Sequence, residues 1–391
     1  MGCSKACKLF GAYRTVISVK DAAVLIHSTI GCSWGTSNFH INSMQQDIRQ
    51  ASSAIYEEDV VYGGEKVLIK SIEHMQDLYD YSVLFILSGC TAEIMGDDLE
   101  GIIRGLSSSK PLIPISSGGF KGDMYSGIND SIKKLIDIVE IRDKIKNSIN
   151  IVGILSDDFK SYADVQYIRN IIGEEIVINS IIPYDNYHNI LNSAKSELNV
   201  IFKGFEEVGI YMEKRLGIPY IIVDYPYGFE GTKKFIKEIY CRLGINMSKF
   251  IEDQEKKAIK SLEKIYLYVQ KLYGMPVAVK GDRFKGNSLK NFLQSELGMN
   301  VYYFDENISD FDDSVKKTNS VIVFGSSYER GIASELSIPL IRYKYPVFDL
   351  ISVNSCGYVG YEGVVNFIEN IINSIITIDY RRGSMFSIND V

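Results

Sequence analysis

The six cysteines, Cys3, Cys7, Cys32, Cys90, Cys241 and Cys356, are the residues of this chain best suited to chemistry. Thiolate sulfur is a soft ligand that favours iron–sulfur clusters and zinc. A zinc finger wants closely spaced cysteine pairs, and Cys3 with Cys7 is the only such pair here. Cys32 follows Cys7 by 25 residues, and Cys90 follows Cys32 by 58. Ligands so far apart can be gathered only by the fold, which suits a cluster at a domain surface or a subunit interface. Gly31 precedes Cys32, and Ser88-Gly89 precedes Cys90. Glycine lets the backbone come close to a bulky group, and backbone N–H groups there can hydrogen-bond to cluster sulfur and tune its potential. The competing reading is plain: a lone cysteine is most often a small buried hydrophobe. For any one of Cys7, Cys32 and Cys90 taken alone, that reading leads. Cys241, on an expected helix over 232–243, keeps it, while Cys3 and Cys356 stay open between ligand and bystander.

The elements that must position these thiols follow an α/β rhythm. Short apolar strands are expected at Ser82–Leu87, Ile151–Leu155, Tyr220–Val223, Val277–Val279 and Val321–Phe324, alternating with amphipathic helices. Such alternation indicates mostly parallel sheets. Residues 211–219 and 332–339 echo each other: each carries a helix end, a small turn and an Ile-Pro that enters a strand. This implies two topologically similar Rossmann-like domains. The expected partition is a cluster-binding α/β domain over 1–147, a second Rossmann-like domain over 148–247, and a connecting helix with a third Rossmann-like domain over 248–391. The connecting helix is read over Ser248–Tyr273, with Ile259, Leu262, Ile265, Tyr266 and Val269 as its apolar positions.

Composition narrows the function. The chain has 391 residues, 46% hydrophobic and 23% charged, with a net charge of −7. An acidic balance with scattered Lys and Arg argues against nucleic acid as a partner. No run reaches the roughly 18–20 apolar residues that span a bilayer, so no membrane role is expected. The first residues lack a secretory core, and Ala6 stands where a myristoylation signal wants Ser or Thr. A cytoplasmic location with free or metal-bound thiols is expected. No G-x-G-x-x-G follows a strand and no P-loop is present, so nucleotide chemistry by this chain is not supported. Gly118-Gly119 and Gly63-Gly64 read as turns.

Four stretches carry a resemblance. They are Cys7-Lys8-Leu9-Phe10-Gly11-Ala12, His27-Ser28-Thr29-Ile30-Gly31-Cys32, Glu58-Asp59-Val60-Val61-Tyr62-Gly63-Gly64-Glu65-Lys66, and the segment 88–99 opening on Ser88-Gly89-Cys90. In order and spacing they resemble the β-type subunit of the nitrogenase component 1 family, and Tyr361-Glu362-Gly363 with its following helix resembles that family's third domain. The resemblance covers nearly the whole chain. It implies three Rossmann-like domains and Cys7, Cys32 and Cys90 as ligands of an iron–sulfur cluster, either [4Fe-4S] or a shared [8Fe-7S] type. It also implies an ATP-dependent iron protein as electron donor, and a second component 1 subunit or a second copy of this chain as partner. The function implied is that of an oxidoreductase subunit, and a scaffold for metallocluster assembly is the alternative. Two departures matter. Ile201–Phe205 holds no cysteine, and the four histidines, His27, His40, His74 and His188, leave the third domain without one. Reduction of dinitrogen by a molybdenum–iron cofactor held in this chain is therefore not expected, and the substrate stays open.

Around the thiols, weaker readings attach to single residues. Ser88 is a candidate for cluster contact or for capping the strand end. His27 is a candidate for support of the Cys32 loop or for core packing. Glu93, Asp97 and Asp98 read foremost as helix caps, and Trp34 and Phe39 as core or interface aromatics.

Overall fold

The computed structural model describes residues 6–37, 49–246, 249–352 and 356–381. Among these described residues, twelve strands form three parallel four-stranded sheets. The first holds β1 (Ala22–His27), β2 (Arg49–Ser52), β3 (Val83–Ser88) and β4 (Leu112–Ser116) in the order β2-β1-β3-β4. The second holds β5 (Ser148–Ile154), β6 (Val177–Pro183), β7 (Leu198–Phe202) and β8 (Tyr220–Val223) in the order β6-β5-β7-β8. The third holds β9 (Pro276–Lys280), β10 (Asn300–Phe304), β11 (Ile322–Gly325) and β12 (Leu340–Arg342) in the order β10-β9-β11-β12. One Rossmann-like topology thus recurs three times, as the fold class required.

Helices cover both faces of a parallel sheet, so its central strands are buried and mostly apolar; in the second sheet the polar Asn150 of β5 and Asn199 of β7 are buried too, hydrogen-bonded to each other at 2.8 Å. All six residues of β3 are buried. In the first sheet, Ala23, Leu25, Leu84 and Ile86 pack with Leu68, Ile72 and Met75 from the helix Glu65–Leu78. In the third, Ala278 and Val323 pack with Phe311, Val315, Ile332 and Ala333.

The chain divides into two compact units. The first comprises residues 1–157, 177–201 and 205–220, and the second comprises 158–176, 202–204 and 221–391. In the second unit the long helix Gly360–Arg381 packs on the helices Ser161–Ile172, Gly228–Leu243 and Lys249–Glu263, with Tyr358 stacked on its Phe367 at 4.0 Å. The expected connecting helix is in fact two, Lys249–Glu263 and Tyr266–Gln270. Across the expected stretch, Ile251, Ala258 and Leu272 are buried. Of the expected apolar positions, Leu262, Ile265 and Val269 are half-buried, whereas Ile259 and Tyr266 are exposed.

In the first unit the helix Lys8–Ile17 crosses the helix Met124–Asp137 backbone to backbone. A Cβ on Gly11 would lie 1.8 Å from the Met124 carbonyl oxygen, and one on Gly127 2.1 Å from that of Lys8. The same helix carries Arg14, whose guanidinium makes a two-pronged ion pair with Asp157 at 2.7 and 2.9 Å. Both side chains are buried, and this pairing satisfies charges that could not otherwise stay in the core.

Candidate metal centre

The first sheet brings its strand ends level. His27 of β1 stands opposite Ser88 of β3, and Ser88 opposite Ser116 of β4. The segments that follow all leave from one end of the sheet. After β1 comes the helix Ile30–Ser37 with Cys32, after β3 the helix Cys90–Met95, and after β4 the turn Gly119–Lys121. With strand order β2-β1-β3-β4, the chain reverses direction of growth between β1 and β3. That switch point is where open α/β sheets leave a crevice for ligands. Cys32 and Cys90 follow the two strands that flank it.

Cys7 reaches the same end by a different route. It precedes the helix Lys8–Ile17 in extended conformation, and its carbonyl accepts the N–H of Phe10 at 3.1 Å. An antiparallel bridge pairs Cys7 with Asp123, and Lys8 N–H donates to the Gly122 carbonyl at 3.1 Å. The loop after β4 therefore holds Cys7 beside it.

Gly119 is where the thiols meet. Its N–H donates to Cys90 Sγ at 3.1 Å. A Cβ added to it would lie 3.2 Å from Cys90 Sγ, 3.3 Å from Cys7 Sγ and 3.0 Å from Cys7 Cβ. Both sulfurs thus flank one point, and only a residue without a side chain leaves that point open. Cys7 is exposed, and Cys32 and Cys90 are half-buried. Cys32 is in the first turn of the helix Ile30–Ser37, its N–H donating to the Thr29 carbonyl at 3.2 Å. The structure brings Cys7 and Cys90 together and puts Cys32 at the same sheet end. Among the described residues, no three His, Cys, Asp or Glu converge tightly enough for a single metal ion. What this end of the sheet offers a soft metal group is sulfur, a backbone N–H aimed at one thiol, and a cradle that a methyl group would fill.

The polar residues around the thiols have definite roles. His27 is fully buried, with Nδ1 2.8 Å from Ser53 Oγ and Nε2 3.1 Å from Asp97 Oδ2. Burial holds its imidazole below the usual pKa in spite of Asp97. It is thus packed and hydrogen-bonded, and it braces the end of β1. Of the three acidic residues read foremost as caps, Asp98 does cap a helix, accepting from Gly101 N–H at 3.0 Å. Asp97 instead holds His27 and the Gly64 N–H, and Glu93 pairs with Lys121. Ser88 is buried, and its hydroxyl is engaged by Glu93, by the Ile115 carbonyl and by the Ser117 N–H. Trp34 is 71% exposed, which removes the core reading and leaves a surface one. Ile30, Ile94 and Phe120, on the same three segments, are also exposed. Cys241 is exposed on its helix, against the expectation of a buried thiol, and Cys356 is exposed in a loop. Cys3 and Phe39 lie outside the described residues. Gly119, Glu93 and Lys121 are the residues whose roles the sequence reading missed; the available signal was the Gly-Gly pair placed just after a strand.

The pattern of nitrogenase component 1 type oxidoreductases matches residues 7–304 and 301–376. The chain is 22% identical to the nitrogenase molybdenum-iron protein beta chain of Methanococcus maripaludis, across 95% of this chain and 93% of that one. It is 27% identical to the nitrogenase iron-molybdenum cofactor biosynthesis protein NifE of Clostridium pasteurianum, across 95% and 88%. Among solved structures, nitrogenase Cp1 at pH 6.5 superposes with a TM-score of 0.85 over 100% of this chain and 96% of the other, at 18% identity. With nearly its whole length matched, the chain belongs to the nitrogenase component 1 type oxidoreductase family.

Proposed function

We propose that this chain holds an iron–sulfur cluster through Cys7, Cys32 and Cys90, and serves as the electron-accepting subunit of a nitrogenase-like reductase in the cytoplasm. The observation that carries the reading is the Gly119 cradle, where Cys7 and Cys90 face one open point beneath a sheet switch point whose other flank bears Cys32. A bound cluster supplies one-electron chemistry. The residues of this chain would bind it by three thiolates, with the Gly119 N–H donating to the Cys90 sulfur. Three thiolates leave room for a fourth ligand from a partner, or for three more thiolates across a shared cluster. Exposed Ile30, Trp34, Ile94 and Phe120 around the thiols suit such a partner, either a second component 1 subunit or a second copy of this chain. The electron donor in this reading is an ATP-dependent iron protein. Ser88 and His27 support the ligand-bearing turns in this reading, and residues 1–147 act as the cluster domain.

A second reading is favoured by the similarity to a cofactor biosynthesis protein: a scaffold that holds a cluster or its precursor and hands it on. One anaerobic experiment separates the two. The purified chain, given a reduced iron protein and ATP, consumes a substrate as a reductase and none as a scaffold, whereas both retain iron and an EPR signal. Colourless, iron-free protein from oxygen-free preparation refutes both.

A further inference from the structure

We propose that Glu93 and Lys121 form a clamp that holds the Gly119 N–H against the Cys90 sulfur and thereby sets the reduction potential of the bound cluster; this rests on the cluster reading above. Glu93 sits one helical turn after Cys90. Its carboxylate is approached by four donors: the Ser88 hydroxyl, the Ser116 hydroxyl at 2.7 Å, the Gly118 N–H at 3.4 Å and the Lys121 ammonium. Lys121 also donates to Ser116 Oγ at 2.9 Å, and Ser117 Oγ donates to the Ser88 carbonyl at 2.8 Å. These bonds stitch the end of β3, the end of β4 and the cysteine-bearing helix into one unit, and Gly119 lies between the two residues they fix, Gly118 and Lys121.

A carboxylate offers about four acceptor positions, so Glu93 is close to saturated. Burial alone would raise its pKa, but Lys121 and the two serine hydroxyls outweigh it and hold the carboxyl near about 2. The carboxylate is therefore ionised at neutral pH. The Lys121 side chain is 40% exposed while that of Glu93 is 9% exposed, and a pair with so solvated a cation contributes only modestly to stability. What four convergent donors supply is position. They keep the Gly119 amide within hydrogen-bonding distance of a sulfur it would otherwise leave with the loop. An N–H donor to a cluster sulfur favours the more negative, reduced state and raises the potential.

The decisive variant is Glu93→Gln in the full-length, cluster-loaded chain, with the potential measured by EPR-monitored dye titration. Charge and position pull in opposite directions here. Removing a nearby anion raises the potential, whereas releasing the Gly119 loop lowers it. The clamp predicts about a tenfold shift toward the oxidised cluster, about 59 mV lower for a one-electron couple. Ser116→Ala, which changes no charge, shifts it in the same direction and decides the matter if Glu93→Gln fails to load. Lys121→Arg keeps the wild-type value. Lys133→Gln, which breaks the Lys133–Glu207 pair at 3.0 Å, leaves it unmoved. A higher or unchanged potential in Glu93→Gln, or an unchanged one in Ser116→Ala, overturns the clamp. A wild-type chain without iron overturns the underlying cluster reading instead.

Discussion

Replacing Gly119 by alanine tests the cradle with one methyl group. The new Cβ would meet Cys7 Cβ at 3.0 Å, Cys90 Sγ at 3.2 Å and Cys7 Sγ at 3.3 Å. All three approaches are inside ordinary van der Waals contact, so at least one cysteine must give way. Overpacking of this kind costs about 1–3 kcal/mol. Alanine also restricts the unfolded chain more than glycine does, which offsets about 0.4–1 kcal/mol. The net expectation for the metal-free chain is a loss of about 1–2 kcal/mol, visible in urea unfolding followed by circular dichroism, with the two compact units fitted as separate transitions. The effect on cluster loading is larger, because the methyl occupies the point that both sulfurs face. Iron content after anaerobic reconstitution is expected to fall severalfold, and the EPR signal with it. A Gly119→Ala protein with wild-type iron content and wild-type stability would refute the cradle, since nothing else about the residue demands glycine.

Three further outcomes follow from the same geometry. Cys32→Ala loses most of the bound iron by colorimetric assay, and retention of full iron content removes Cys32 from the ligand set. Asp157→Asn leaves the Arg14 guanidinium buried without its counter-charge, a loss of about 3–5 kcal/mol in the first unit's urea transition; the double change Arg14→Met with Asp157→Leu recovers much of it. Glu296 accepts the N–H groups of Phe229 at 2.6 Å and Glu230 at 3.3 Å, yet burial raises its pKa to about 7. Its folded pKa thus exceeds its unfolded value, so the native state holds a proton that the unfolded chain has released. Its contribution is complete below pH about 4.5 and is lost as pH rises through about 7. Glu296→Gln flattens that slope in a plot of Tm against pH, and an unchanged slope would show that the group is solvated.

The most apolar strands carry the fold in the sequence itself. Val83–Ser88, Ser148–Ile154, Tyr220–Val223, Pro276–Lys280 and Ile322–Gly325 lie within a residue or a few of where hydrophobic runs placed them. Short strands such as Arg49–Ser52, half-buried throughout and without an apolar run, gave no such signal. They form because a parallel neighbour supplies their hydrogen bonds, which is tertiary information. The thiols at the end of the first sheet could be named because cysteine is rare and its chemistry specific. The Glu93–Lys121 pair could not be named, because its partners are spread over 28 residues and become adjacent only when β3 and β4 align. The exposure of Cys241 has a related cause: helical periodicity defines a face, but which face is covered depends on the neighbouring elements.

The threefold repetition of one topology sharpens the assignment of the site. Each sheet has the same strand order and so the same switch point between its first and third strands. In the second sheet those strands lead into Leu155-Ser156-Asp157 and Lys203-Gly204, and in the third into Gly281-Asp282 and Ser326-Ser327. Neither position carries a thiol. The switch point is a property of the fold and recurs, whereas the chemistry belongs to the residues placed at it. Only at the first sheet do two cysteines follow the flanking strands while a third is held beside them by the loop after β4. A fold-level likeness alone would make all three switch points equal candidates, and the cysteines make the first of them the candidate cluster site.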